Sequence, residues 1–93
     1  MWRVEEPRRA DAQIDSIPAD ILTRHEKWKD IALISGPAGL RLIEGLHDEA
    51  LIGGWKGYRS SRLGLPYRVI YRVVADEQVF QVVSITVRDD RRS

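Results

Sequence analysis

The chain has 93 residues, 43% hydrophobic and 31% charged, with a formal net charge of +1. That balance excludes a disordered chain, and the length predicts one domain, residues 1–93, with one modest core. The absence of cysteine excludes a disulfide framework and a thiolate zinc site.

No apolar run approaches the roughly 18 residues that span a membrane. The charged N-terminal stretch MWRVEEPRRADAQ lacks the apolar core of a signal peptide. The expectation is a cytoplasmic protein with no membrane partner. Charge is unevenly spread: residues 1–54 carry seven Lys/Arg against ten Asp/Glu, a net −3, and residues 55–93 carry eight against four, a net +4. Two faces with different partners follow from such an asymmetry, the basic one suited to an anionic ligand.

In chain order, Trp2-Arg3-Val4 alternates as a short edge strand does. Glu5-Glu6-Pro7 opens a helical stretch, because acids and a first-turn proline suit a helix N-terminus. Ala10, Ile14 and Ile17 supply its apolar face. Pro18 breaks it, and a second helix runs from about Pro18 to Ile34 with Ile21, Trp28, Ile31 and Ala32 on one stripe. Ser35-Gly36-Pro37 ends that helix, Gly36 taking the C′ position. A short helix or turn follows over residues 38–46. The period then changes to two, predicting antiparallel strands at about 54–62, 67–75 and 78–87, with turns at Leu65-Pro66 and Asp76-Glu77. The predicted class is α+β: a small antiparallel sheet of about four strands, with an N-terminal helical hairpin packed on one face.

Strict alternation puts Tyr67, Val69, Tyr71 and Val73 on the helix side, and Arg68, Ile70, Arg72 and Val74 on the other. In the last strand it groups Val79, Gln81, Val83, Ile85 and Val87 against Phe80, Val82, Ser84, Thr86 and Arg88. Arg68, Arg72, Ser84, Thr86 and Arg88 are thereby expected on the open side of the sheet, with Lys56, Arg59 and Arg62 added from the preceding strand. Trp55 is expected in the core, and Tyr58 is expected to be the most open of Trp55, Tyr58, Tyr67 and Tyr71. His25 and His47 are expected as partly exposed polar residues of the helical half. Guanidinium groups grip phosphate oxygens bidentately and aromatic rings stack on unpaired bases, so the basic half suits single-stranded RNA.

GWKGYRSSRL followed by YRVIYRV and VVSITVRDDRR, with LTRHEKWKDI and GLRLIEGLHDEAL upstream, resembles the RelE/HigB family of type II toxin–antitoxin toxins over nearly the whole chain. The resemblance implies a RelE-like fold. It implies a ribosome-dependent mRNA endoribonuclease that enters the ribosomal A site and inhibits translation. The reaction would be metal-free and cofactor-free: the ribose 2′-OH attacks the scissile phosphate and the 5′-oxygen leaves. It also implies a cognate antitoxin that forms a hetero-oligomer with the toxin.

Matched residue by residue, Arg68 corresponds to the phosphate-holding arginine of the family's YRVIY-type strand, and Arg88 to the arginine or histidine at the end of the last strand. Asp90 stands where many members have a tyrosine. These three are the catalytic candidates, with Lys56, Tyr58, Arg59, Arg62, Arg72 and Arg91 as RNA-binding residues. An arginine shuttles protons poorly, so the proton acceptor stays open among Lys56, Tyr58 and Asp90. Two other readings keep their place: a ParE-like gyrase poison on the same fold, and a non-catalytic RNA- or ribosome-binding module.

Overall fold

The computed structural model describes residues 1–6 and 17–87. The elements are β1 (Arg3–Glu5), α1 (Ala19–Leu42), β2 (Glu49–Ala50), β3 (Arg59–Gly64), β4 (Tyr67–Val74) and β5 (Val79–Val87), with single 3₁₀ turns at Glu44–Leu46, Gly53–Trp55 and Ala75–Glu77. The strands form one sheet in the order β1-β5-β4-β3-β2. The class is α+β, as expected, but the sheet has five strands and is mixed. β1 runs parallel to β5, with Val4 opposite Phe80, while the other neighbours are antiparallel. A parallel pair needs a long crossover connection, and the chain between these strands supplies one. The first helix of the predicted hairpin falls mainly on residues 7–16, outside the described residues. Glu5, predicted to open that helix, closes β1 instead.

α1 forms because Ile21, His25, Trp28 and Ala32 recur every three or four residues and are buried together. Pro18 caps it by accepting from the Ile21 and Leu22 amides at 3.0 and 3.1 Å. The break predicted at Ser35-Gly36-Pro37 is present as a kink: Gly36 has φ 68° and ψ −169°, and the helical path resumes to Leu42. A Cβ on Gly36 would lie 2.7 Å from the Trp2 indole nitrogen. Glycine is therefore required twice over, for its left-handed φ and for the close approach of β1's neighbour.

The core lies between α1 and one sheet face. Trp28, Tyr71 and Phe80 meet with centroids 5.1 to 5.8 Å apart, and Trp2 closes on Phe80 at 5.2 Å. Val69, Tyr71, Val82, Ile85 and Leu63 complete it, with Tyr67 and Val73 packed at its margin. The β4 faces thus follow the alternation.

Those of β5 do not. Ile70 pairs with Ser84 and Tyr71 with Val82, so Val83 is an extra residue at a bulge. One extra residue reverses the phase of a strand. Phe80 and Val82 therefore join Ile85 in the helix-side core, where strict alternation had separated them. The strand expected at about 54–62 is delayed to Arg59. Gly53 and Gly57 take φ of 65° and 96°, and the Leu51 amide reaches the Tyr58 carbonyl at 2.9 Å to close a loop. Trp55, expected in the core, sits on that loop 38% exposed. It, not Tyr58, is the most open of the four aromatics.

Candidate functional site

On the helix side, β3 and the approach to β2 build a buried polar network around Asp48. Its side chain is fully buried. Oδ1 accepts from Arg59 Nε at 2.8 Å and Nη2 at 2.7 Å. Oδ2 accepts from Ser61 Oγ at 2.6 Å and from the Tyr71 hydroxyl. Ser61 Oγ in turn accepts from Trp28 Nε1 at 3.0 Å. A buried carboxylate is tolerable only with such complete pairing. Burial works against the Arg59 charge, but the hydrogen bond and charge of Asp48 outweigh it and raise its pKa. Burial, reinforced by Asp48, pushes the Tyr71 phenol well above its ordinary range. Arg59, expected to face RNA, is consumed in this network, because it pairs with Tyr71 on the helix face of the sheet.

The opposite face carries Arg68. It was expected on an open surface and is 3% exposed. Nε donates to Ser60 Oγ at 3.0 Å, and Nη2 donates to the His47 carbonyl at 3.2 Å and to Glu49 Oε1 at 3.1 Å. Ser60 is the cross-strand partner of Ile70, while Arg68 itself stands between Arg62 on β3 and Thr86 on β5. The face is right; the openness is not, because the segment 47–49 folds back over the guanidinium. Glu49, by contrast, is 53% exposed along its side chain. A held cation and an accessible carboxylate are thus in contact on one face. An accessible carboxylate can accept a proton, whereas the guanidinium could reach a phosphate only with segment 47–49 displaced.

Neither Asp48 nor Glu49 was singled out from the sequence. The only signal was two adjacent acids in GLHDEAL, just ahead of a basic strand. Their two carboxylates each hold an arginine, on opposite sides of the sheet.

The remaining candidates scatter. Arg62 is half-buried on the Arg68 face, and Lys56 is exposed on the 51–58 loop. Tyr58, half-buried, meets Trp55 edge-on at 5.4 Å. Arg72 is exposed and donates to Gln81 Oε1 at 2.6 Å, and Gln81 donates to Glu5 Oε1 at 3.3 Å. Arg88, Asp90 and Arg91 lie outside the described residues. His25, expected partly exposed, is 2% exposed, because it occupies the buried stripe of α1. Its Nε2 lies 2.5 Å from Glu6 Oε1 and its ring stacks on Trp28 at 5.7 Å. Among the described residues no group of His, Asp and Glu is arranged to hold a metal ion. No described helix is long and apolar enough to cross a membrane.

No family model matches the chain. No curated protein matches it. Solved structures do. The archaeal RelE–RelB complex from Pyrococcus horikoshii is 25% identical with a TM-score of 0.74, covering 94% of this chain and 94% of that one. The toxin–antitoxin complex RelBE2 from Mycobacterium tuberculosis is 20% identical at 0.72, covering 94% and 98%. The YoeB–YefM complex from Staphylococcus aureus is 15% identical at 0.71, covering 96% and 99%. The chain has the RelE-like fold, as the resemblance in its sequence implied.

Proposed function

We propose that this protein is the toxin of a type II toxin–antitoxin pair and cleaves translated mRNA in the ribosomal A site, without metal or cofactor. The toxin role and a cognate antitoxin partner draw on the likeness to RelE and YoeB chains in toxin–antitoxin complexes. The observation that carries the chemistry is the contact of Glu49 Oε1 with Arg68 Nη2 at 3.1 Å. Glu49 takes the proton of the ribose 2′-OH as general base. The 2′-oxygen bonds to phosphorus, and Arg68 stabilises the charge that gathers on the non-bridging oxygens. The P–O5′ bond then breaks, the 5′-oxygen taking a proton from solvent and leaving a 2′,3′-cyclic phosphate behind. Arg62, Lys56 and Arg72 hold flanking phosphates as point charges or forks. Glu49 replaces Lys56, Tyr58 and Asp90 as the preferred acceptor: it is the carboxylate beside the clamp.

Induced expression in bacteria tests this directly. Growth arrest and new 5′ ends on translated mRNA by primer extension are expected. Glu49→Gln and Arg68→Ala should each relieve the arrest and lower cleavage at least about 100-fold, with the far-ultraviolet circular dichroism retained. The two share one step, so either variant cutting at the parental rate would sink the mechanism.

The burial of Arg68 favours a second reading, a ParE-like gyrase poison that does no RNA chemistry. Inhibited supercoiling with intact mRNA would select it.

A further inference from the structure

The loop joining β2 to β3 reads LIGGWKGY, residues 51–58. Its backbone is held at four points. The amides of Leu51, Trp55, Lys56 and Tyr58 donate to the carbonyls of Tyr58, Ile52, Gly53 and Trp55 at 2.9 to 3.3 Å. Gly53 and Gly57 supply the left-handed φ that these turns require. On this frame Trp55 is exposed and meets Tyr58 with ring planes at 90° and centroids 5.4 Å apart. In a perpendicular pair the edge of one ring meets the face of the other, so Trp55 keeps at least one face clear of Tyr58.

The register brings this ring pair beside the reacting groups. β2 and β3 set Glu49 opposite Ser60 and Ala50 opposite Arg59, and the hydrogen bond between Leu51 and Tyr58 continues that count. Tyr58 therefore stands on the face of Ser60 and Arg68, two residues or about 7 Å along the strand from Ser60. Leu51 and Ile70, of that same face, are buried outside the helix-side core. Ser60 is the residue whose hydroxyl accepts from Arg68 Nε. A phosphate at the Glu49–Arg68 pair thus brings its neighbouring nucleotide to the loop.

An unpaired base and a protein side chain are the two occupants that cover an open indole. Charge favours the base. From Ala50 to Arg62 the chain holds Lys56, Arg59 and Arg62 and no acid. Arg59 is taken by Asp48, which leaves the exposed Lys56 next to Trp55. A cation beside an open aromatic face matches a nucleotide, phosphate to the one and base to the other. Resting on the cleavage reading above, we infer that Trp55 stacks the nucleobase flanking the scissile phosphate and so positions the mRNA, with Tyr58 bracing the indole.

The test pairs variants of the full chain with mRNA on programmed ribosomes. The A-site codon carries 2′-O-methyl groups, which block attack, and is made abasic at each of its three positions in turn. Filter binding gives Kd, and far-ultraviolet circular dichroism checks that each variant is folded. Trp55→Leu keeps apolar bulk but no ring, and should weaken binding to the intact codon by about 5- to 150-fold. Trp55→Phe should stay near the parent. At one abasic position the parent and Trp55→Leu should bind alike. Coupling on the blocked codon with unmodified mRNA left whole would keep the stacking and remove the chemistry. Cleavage by the parent, with Trp55→Leu binding every codon as the parent does, would overturn the stacking and keep the chemistry. The stacking is also overturned if no abasic position weakens the parent. A looser antitoxin complex in Trp55→Leu with ribosome binding unchanged would assign the indole to a protein partner instead.

Discussion

Asp48 is the residue with most to lose. Four donor atoms on Arg59, Ser61 and Tyr71 converge on its two oxygens. Asp48→Ala strands all of them in the interior, and breaking a buried pair this way costs about 3–5 kcal/mol, to be read by urea denaturation. Tyr71 adds a pH dependence. Its folded phenol holds its proton above the ordinary value of 10.0, while the unfolded chain releases it near that value. Its contribution to stability is full below pH 10.0 and is lost as pH rises beyond it. Thermal unfolding followed into alkali should fall off above that point, and Tyr71→Phe should flatten the decline. Glu49 is exposed enough for its removal to leave the fold intact. Glu49→Gln should lower cleavage by about 100- to 10,000-fold, the span of general-base catalysis, in a single-turnover assay on programmed ribosomes.

At the scale of elements, β2 matters beyond its two residues. It pairs with β3 and so brings the preceding Asp48 to one face and Glu49 to the other. α1 keeps its direction change through Gly36. Gly36→Ala must hold a β-carbon at φ 68° and 2.7 Å from Trp2, which costs more than about 1 kcal/mol. A lowered Tm is expected, with Gly45→Ala, which has no positive φ and whose Cβ would meet nothing within 4 Å, as the comparison. Period-two reading found β4 and its faces, because the extra residues at its two irregularities, Leu63 and Val83, lie on β3 and β5 and leave β4 itself without an insertion. It misread β5 because a bulge leaves no mark in a run such as VFQVVSITV, where apolar residues fill both phases. It missed β2 because two residues, Glu49 and Ala50, are too short a run for any period.

For the whole molecule, the two faces anticipated from charge are present in altered form. The basic residues do not make one continuous surface. Arg59 turns into the helix side, Arg68 is held under segment 47–49, and Arg62 lies across from Arg68. The proposed toxin would therefore present its chemistry at the Glu49–Arg68 face alone. Co-expression with an antitoxin from the neighbouring reading frame should restore growth, and a stable complex by size-exclusion chromatography is the accompanying measurement.

By itself the sequence determined the class of fold, the buried stripe of α1, the break at Gly36 and the face on which Arg68 stands. Each is a local matter of period or of backbone φ, legible from neighbours within a few residues. Only the tertiary structure decided that Arg68 is covered, that Arg59 is spent on Asp48, and that Glu49 is the carboxylate beside Arg68. Those contacts join residues 11 to 21 positions apart, and they depend on how the loop before β3 folds back. No periodicity records that, because the pairing energy of a buried charge is set by which groups meet in space.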